Sequence, residues 1–342
     1  MRKYLTILLL ILLVVLTGCG KNNKVAEEKE ENDNDSIKIG ISFDSFVIER
    51  WERDRDVFVS TAKDLGAEVN VQNANGDVNE QIAQIEYLIK KKMNVIVVIA
   101  IDGNALSNVV QKAKNAGIAV ISYDRLIMNA DTDMYISFDN EAVGRMMGVA
   151  VSGDPLVRKV IMVGGSQSDN NVSMVENGFE QVMAEKDIEI IDRTYCDGWK
   201  AEIGYDYINE NISKVDAADA IMCGNDDIAT NVVRALAVNR RAGDIIVVGQ
   251  DADLTACQHI VEGTQKMTVY KPVEKLASEA AQYAVKLAQG ESIDTSLKIN
   301  DGSYDVPYVA LQPISVNRDN IDDVIIDGGF HLKEDVYLNV NK

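Results

Sequence analysis

From Ile37 onward the chain alternates short runs of Ile, Val and Met with longer stretches in which apolar residues recur three and four apart. The runs cover 37–43 (IKIGISF), 67–72, 95–99, 118–123 and 134–138. Between them 47–65, 78–92 and 104–116 carry the helical period, as in Ile82, Ile85, Leu88 and Ile89. A strand that is apolar at every position must be covered on both faces, and helices of this length supply the cover, so the pattern predicts a parallel sheet. It then restarts, with strands at 159–165, 188–195, 217–224 and 244–250, a further run at 264–272, and helices over 172–185, 202–213, 227–239 and 273–287. One sheet of this many parallel strands is unusual, which favours two doubly wound, Rossmann-like α/β lobes in tandem. The strand-like SLKINDG and VPYVALQPISVN near the C-terminus need a sheet to join. The economical path returns the chain to the first lobe and then to the second, and several crossings make a hinge.

The N-terminus breaks this rhythm. MRKYLTILLLILLVVLTGCG joins a basic start, Arg2 and Lys3, to an apolar run from Leu5 to Leu16. The run is well short of the roughly 20 residues that a membrane span needs, so it reads as a secretory signal rather than an anchor. Its ending, Leu16-Thr17-Gly18-Cys19, resembles the bacterial lipobox, which implies cleavage after residue 18 and acylation of Cys19, hence an extracytoplasmic protein held to the cell membrane by lipid. Residues 19–36 are polar and charged and cannot offset the entropy cost of folding, so they read as a tether. The 342-residue chain has a formal charge of −20, which disfavours a nucleic-acid partner. Beyond Cys19 only Cys196, Cys223 and Cys257 remain, without CxxC spacing. Buried thiols are the simple reading, and one disulfide of unspecified pairing stays open.

In open α/β sheets ligands bind beyond the carboxyl ends of the strands. Those positions here hold DSFVIERW, Asp124-Arg125, Asp139-Asn140, Asp169-Asn170-Asn171, Asp197-Gly198-Trp199, Asn225-Asp226-Asp227, Asp251-Ala252-Asp253 and Lys271. Any single Asp or Asn among them can simply cap a helix. Caps do not explain Arg125, Lys271 and two tryptophans at the same edge. Planar carboxylate, carboxamide and guanidinium groups bind adjacent hydroxyls in pairs, and an aromatic face packs on an aliphatic ring. A small polyhydroxylated ring suits this mixture. Enzyme signatures fail: GxGxxG, GxxxxGK[ST] and HExxH do not occur, and GGSQS at 164–168 misses the GxSxG elbow. Abundant carboxylates leave a glycosidase-type pair open, with no spacing in its favour. His259 and His331 lie away from the strand ends, and DTDMY at 131–135 lacks the glycine of a calcium loop. No catalytic residue, cofactor or metal is assigned.

ERWERDRDVF, VQNANGD, YDRLI, YISFDNE, GGSQSDNN, CDGW, GNDDIAT, GQDADL, GTQKMTVYKP and GGFHLKE, in that order between Ile37 and Lys333, resemble the bacterial D-xylose-binding proteins, relatives of the ribose- and galactose-binding proteins. The resemblance implies two lobes joined by three crossings that close on one pentose, D-xylose or a close relative. On that plan the first lobe spans 37–138 with 272–311, the second 139–271 with 312–333, and 334–342 is a tail. Arg50, Trp51, Arg125, Asp169, Asn171, Trp199, Asn225, Asp251 and Lys271 are then the sugar ligands, with Asp124 and Asn140 as further candidates. The resemblance further implies an ABC permease as partner, or alternatively a membrane sensor kinase or chemoreceptor. Helical periodicity alone puts Trp51 with Val47, Phe58, Ala62 and Leu65, a core face, whereas the resemblance makes it a wall of the site opposite Trp199. Its charged neighbours Glu49, Glu52, Arg53, Asp54, Arg55 and Asp56 read as mainly a solvated helix face.

Overall fold

The structure, a computed structural model, describes residues 36–340. The signal segment, Cys19 and all of the tether except Ser36 lie outside the described residues. Among the described residues no helix is long and apolar enough to cross a membrane.

The first half of the chain runs β1 (Ile37–Phe43), α1 (Arg50–Asp64), β2 (Ala67–Asn73), α2 (Val78–Lys90), β3 (Val95–Val98), α3 (Ser107–Asn115), β4 (Ala119–Tyr123) and β5 (Met134–Phe138). It continues through α4 (Asn140–Ser152), β6 (Lys159–Gly164), α5 (Asn170–Glu185), β7 (Glu189–Tyr195), α6 (Glu202–Glu210), α7 (Ile212–Val215), β8 (Ala220–Cys223), α8 (Asp226–Val238), β9 (Ile246–Gln250), α9 (Leu254–Glu262) and β10 (Met267–Tyr270). The last elements are α10 (Val273–Ala288), β11 (Lys298–Asn300), β12 (Asp305–Leu311), β13 (Ile314–Asn317) and α11 (Lys333–Val336).

Two sheets result. One has the order β11-β12-β5-β4-β3-β1-β2 and the other β13-β10-β9-β8-β6-β7. Neighbours are parallel except β11 with β12 and β10 with β13. Runs that are apolar throughout, such as VIVV and AIMC, occupy central positions and are buried at every residue, whereas the mixed β2 and β7 sit at edges and are only partly covered. In the first sheet α1 and α10 cover one face and α2 and α3 the other. In the second, α4 and α5 cover one face and α6 and α8 the other. The chain passes between sheets three times: after β5 into α4, after β10 into α10, and after β12 into β13.

Helix α4 went unread in the sequence. Its apolar positions Val143, Met147 and Val151 keep the period, but Gly144 and Gly148 dilute it. Those glycines serve packing. A Cβ at Gly144 collides with the Val175 carbonyl oxygen, and one at Gly178 with the Glu141 carbonyl oxygen, so α4 and α5 approach backbone to backbone. The helix read over 202–213 is broken at Asn211 into α6 and α7. Helix α11 runs from Lys333 into the segment read as a tail from residue 334, and Val336 is buried in a cluster with Cys257, Ile260 and Phe330. Cys196, Cys223 and Cys257 are all buried and free.

The closeness of α4 to α5 leaves no volume for even one methyl group. Gly178→Ala is expected to lose about 3 kcal/mol of stability, read as a lower urea midpoint with unchanged slope.

Candidate ligand-binding site

Both sheets have the inner strand order in which the winding direction reverses, between β1 and β3 in one and β6 and β8 in the other, and crevices form outside the carboxyl ends of strands at such points. A small cavity lies there. The first sheet's side contributes Ile48, Arg50, Trp51, Asp124 and Arg125; the second's contributes Asn140, Asp169, Asn171, Trp199, Gln250, Asp251 and Lys271. A larger cleft opens at the opposite ends of β3 and β4, but its charged residues are only Lys90 and Lys92. Of these two, convergence of opposite charges favours the smaller cavity.

Arg50 begins α1 and is 4% exposed. Its Nε and Nη2 donate to the two Asp54 carboxylate oxygens at 3.2 and 3.0 Å, Nη1 lies 3.0 Å from Asp124 Oδ2, and Asp251 Oδ1 of the other sheet is 4.0 Å away. Asp251 in turn lies 2.8 Å from Lys271 Nζ. The second guanidinium, Arg125, holds Asp44 and Asp169, both at 2.8 Å, and donates to the Ala100 carbonyl at 3.0 Å. Its Cζ is 5.6 Å from the Trp51 ring centre and 5.8 Å from that of Trp199. The Trp199 ring packs against Gly165, where a Cβ has no room. Asn171 donates to the Asp124 carbonyl at 3.0 Å and accepts from Tyr135 Oη at 3.1 Å.

The backbone is bent to this purpose. Asp124, Trp199 and Asp251 have φ of 62°, 59° and 102°, a region that residues with a Cβ seldom enter. Burial also sets the charge states. Burial lifts the Asp169 carboxyl to about 6 against the pull of Arg125. Asp124 goes the other way: burial raises it, but Arg50, Lys271 and Arg125 together outweigh that and hold it below the usual carboxylate range.

A model of the periplasmic binding protein domain matches residues 39–292. The chain belongs to the periplasmic binding protein family. It is 41% identical over 306 residues to the D-xylose-binding periplasmic protein of Haemophilus influenzae, covering 88% of this chain and 92% of that one. The D-xylose-binding periplasmic protein of Escherichia coli is 39% identical over 334 residues, covering 95% and 98%. Among solved structures, an ABC transporter solute-binding protein from Clostridium phytofermentans with bound β-D-glucose superposes with a TM-score of 0.80 at 26% identity, covering 87% of this chain and 99% of the other.

In this periplasmic binding protein ten of the eleven residues picked out in the sequence line the cavity. Asn225 is not among the lining residues; it is buried as the N-cap of α8, its Oδ1 accepting from the Ile228 N–H at 2.9 Å. Ile48 and Gln250 line the cavity without having been picked, Gln250 because it is the last residue of its strand rather than the first beyond it. Asp54 corrects the reading of a solvated helix face: it is 1% exposed and holds both Arg50 and the Tyr123 hydroxyl. The spacing of four from Arg50 carried that signal. Trp51 satisfies both readings, since it lines the cavity and packs into the core beside Phe43 and Phe138.

Beside the cavity, Asp226 is fully buried and accepts from Thr268 Oγ1 at 2.6 Å, Gln265 Nε2 at 2.9 Å and the Asp253 N–H at 3.2 Å. Burial nevertheless pushes its carboxyl well up, outweighing the Thr268 bond, and neighbouring Asp251 adds to the rise.

Replacing Asp54 by Asn removes the carboxylate that holds two of the three nitrogens of the buried Arg50 guanidinium, leaving Asp124 as its one close acid, and is expected to cost about 3 kcal/mol in urea denaturation. Asp226 keeps its proton in the native state above the pH at which the unfolded chain gives it up, so unfolding releases a proton and stability falls as pH rises from the ordinary carboxylate range toward the raised native value. Denaturation curves are expected to show Asp226→Asn gaining on the native sequence between pH 5 and pH 8, by about 1.4 kcal/mol per pH unit while that proton is the one released.

Proposed function

We propose that this chain is an extracytoplasmic receptor, lipid-anchored through Cys19, that takes D-xylose or a closely related pentose between its two lobes and presents it to an ABC importer. The observation that carries this reading is one cavity, fed by both sheets, in which two indoles accompany three cations, Arg50, Arg125 and Lys271, and three carboxylates, Asp124, Asp169 and Asp251. Each of these charges already has a partner of opposite sign, which suits a neutral ligand rich in donors and acceptors better than an ionic one. The names of the relatives at 41% and 39% identity supply the sugar. The Leu-Thr-Gly-Cys sequence ending at Cys19 supplies the anchor.

In this reading the lobes are 37–138 with 272–311 and 139–271 with 312–333. Arg50, Trp51, Asp124, Arg125, Asn140, Asp169, Asn171, Trp199, Asp251 and Lys271 touch the sugar, and Asn225 joins them by resemblance. Each charge-assisted hydrogen bond contributes roughly 1.5–3 kcal/mol and each stacked ring about 0.5–1.5, against the cost of immobilising and desolvating the sugar. Dissociation constants in the micromolar range or below are consistent with those terms. Only the closed form brings ligands from both lobes to the sugar at once, so binding shifts the population toward closure and the closed surface is what the permease reads.

Calorimetry of the chain from residue 25 onward against D-xylose, ribose, arabinose, galactose and glucose tests the proposal. D-xylose is expected to bind most tightly, and heat from another pentose with none from xylose removes the specificity assigned here. Because both tryptophans of the sequence line the cavity, saturating xylose is expected to change the intrinsic fluorescence spectrum.

A further inference from the structure

Gln250 closes β9, is 4% exposed and lines the cavity next to Asp251. Its Nε2 lies 2.5 Å from the Gly224 carbonyl oxygen. That contact fixes the orientation of the carboxamide, because the reversed amide sets two acceptor oxygens against each other. The other end, Oε1, is buried and has no donor within hydrogen-bonding reach. A buried carbonyl left without a partner bears the cost of its lost hydration uncompensated, and such groups in a cavity wall mark where a ligand completes the hydrogen bonding. The remaining unpartnered groups among the cavity's aromatic residues, Nε1 of Trp51 and Nε1 of Trp199, are donors. Gln250 therefore offers something distinct: an uncharged acceptor whose donor end is already committed.

We infer that Gln250 is a specificity-determining residue that accepts a hydrogen bond from one hydroxyl of the bound sugar through Oε1. The inference rests on the sugar-binding reading above and deepens it. A carboxylate in the same place accepts equally well but repels the Gly224 carbonyl and adds charge beside Asp251. A carboxamide avoids both. Because the amide is anchored at Gly224, its acceptor is held in place before the ligand arrives, and a sugar that lacks the matching hydroxyl leaves it unsatisfied. Sites built to bond a hydroxyl discriminate strongly against the analogue without it.

The test is a thermodynamic cycle with the full chain held in detergent, pairing the native sequence and Gln250→Met with D-xylose and its four monodeoxy analogues in calorimetry. Methionine matches the volume and removes the acceptor. The native protein is expected to bind one analogue about 10- to 100-fold more weakly than xylose because of this contact, and Gln250→Met to weaken xylose by a similar factor while leaving that analogue nearly unaffected. An equal loss across xylose and all analogues assigns Gln250 only the positioning of Gly224 and overturns the inference, as does an unchanged affinity for xylose. Should the variant not fold, the Gln250 side-chain carbonyl resonance of the native protein decides: it is expected to shift with xylose and not with the discriminated analogue, and equal shifts with both overturn the proposal. If the native chain binds no pentose, the sugar reading itself fails; if it binds xylose and the cycle shows no coupling, only the role of Gln250 falls.

Discussion

The guanidinium of Arg50 is the point on which the site turns. It is almost wholly removed from water, and a buried charge without partners is among the most costly things a protein can contain. Asp54, one turn along the same helix, neutralises it locally; Asp124 approaches from the end of β4; Asp251 approaches from the second sheet and is shared with Lys271. Arg125 is treated alike, between Asp44 of its own sheet and Asp169 of the other. In both cases part of the compensation arrives from across the cleft. The electrostatics of one lobe are therefore completed by the other, which ties the condition of the cavity to the separation of the lobes.

A network of this kind works only if its members do not drift. Three of the residues that hold it, Asp124, Trp199 and Asp251, occupy backbone conformations that side-chain-bearing residues usually avoid. The surroundings keep them there: the Asp124 N–H donates to the Ile136 carbonyl at 2.8 Å, and the Asp251 N–H to that of Val269 at 2.9 Å, so each is pinned to a neighbouring strand. Local strain buys fixed directions for the side chains, and fixed donors and acceptors lose less entropy when a ligand is bound.

Much of this was legible in the sequence because parallel strands buried on both faces leave an unambiguous trace. β1 and β5 fall at the residues the pattern marked, and β3 and β4 within one residue. The polar residues at the strand ends were visible for the same reason, as abrupt changes after apolar runs. What stayed hidden depends on three-dimensional context. Helix α4 was obscured by the glycines that let it approach α5, since the feature that packs it also weakens its period. Asp54 looked like one more surface charge among Glu52, Arg53, Arg55 and Asp56, and only the fold reveals that it faces inward to Arg50 and Tyr123. Gln250 lay on the wrong side of a strand boundary by a single residue. The cap at Asn225 shows the converse, a strand-end residue whose side-chain oxygen is used by its own helix.

The three passages between the sheets carry a mechanical consequence. They leave from β5, β10 and β12; β5 and β12 are neighbours in one sheet, and β10 borders β13, where the third passage ends, in the other. The Asp139 N–H also donates to the Leu311 carbonyl at 2.9 Å, fastening the first passage to the third. Three struts gathered along one side resist sliding and twisting but bend together about a common line, which leaves the pair of lobes essentially one soft degree of freedom. Strand order alone thus decides where the two lobes are tied together, whatever side chains line the cleft between them.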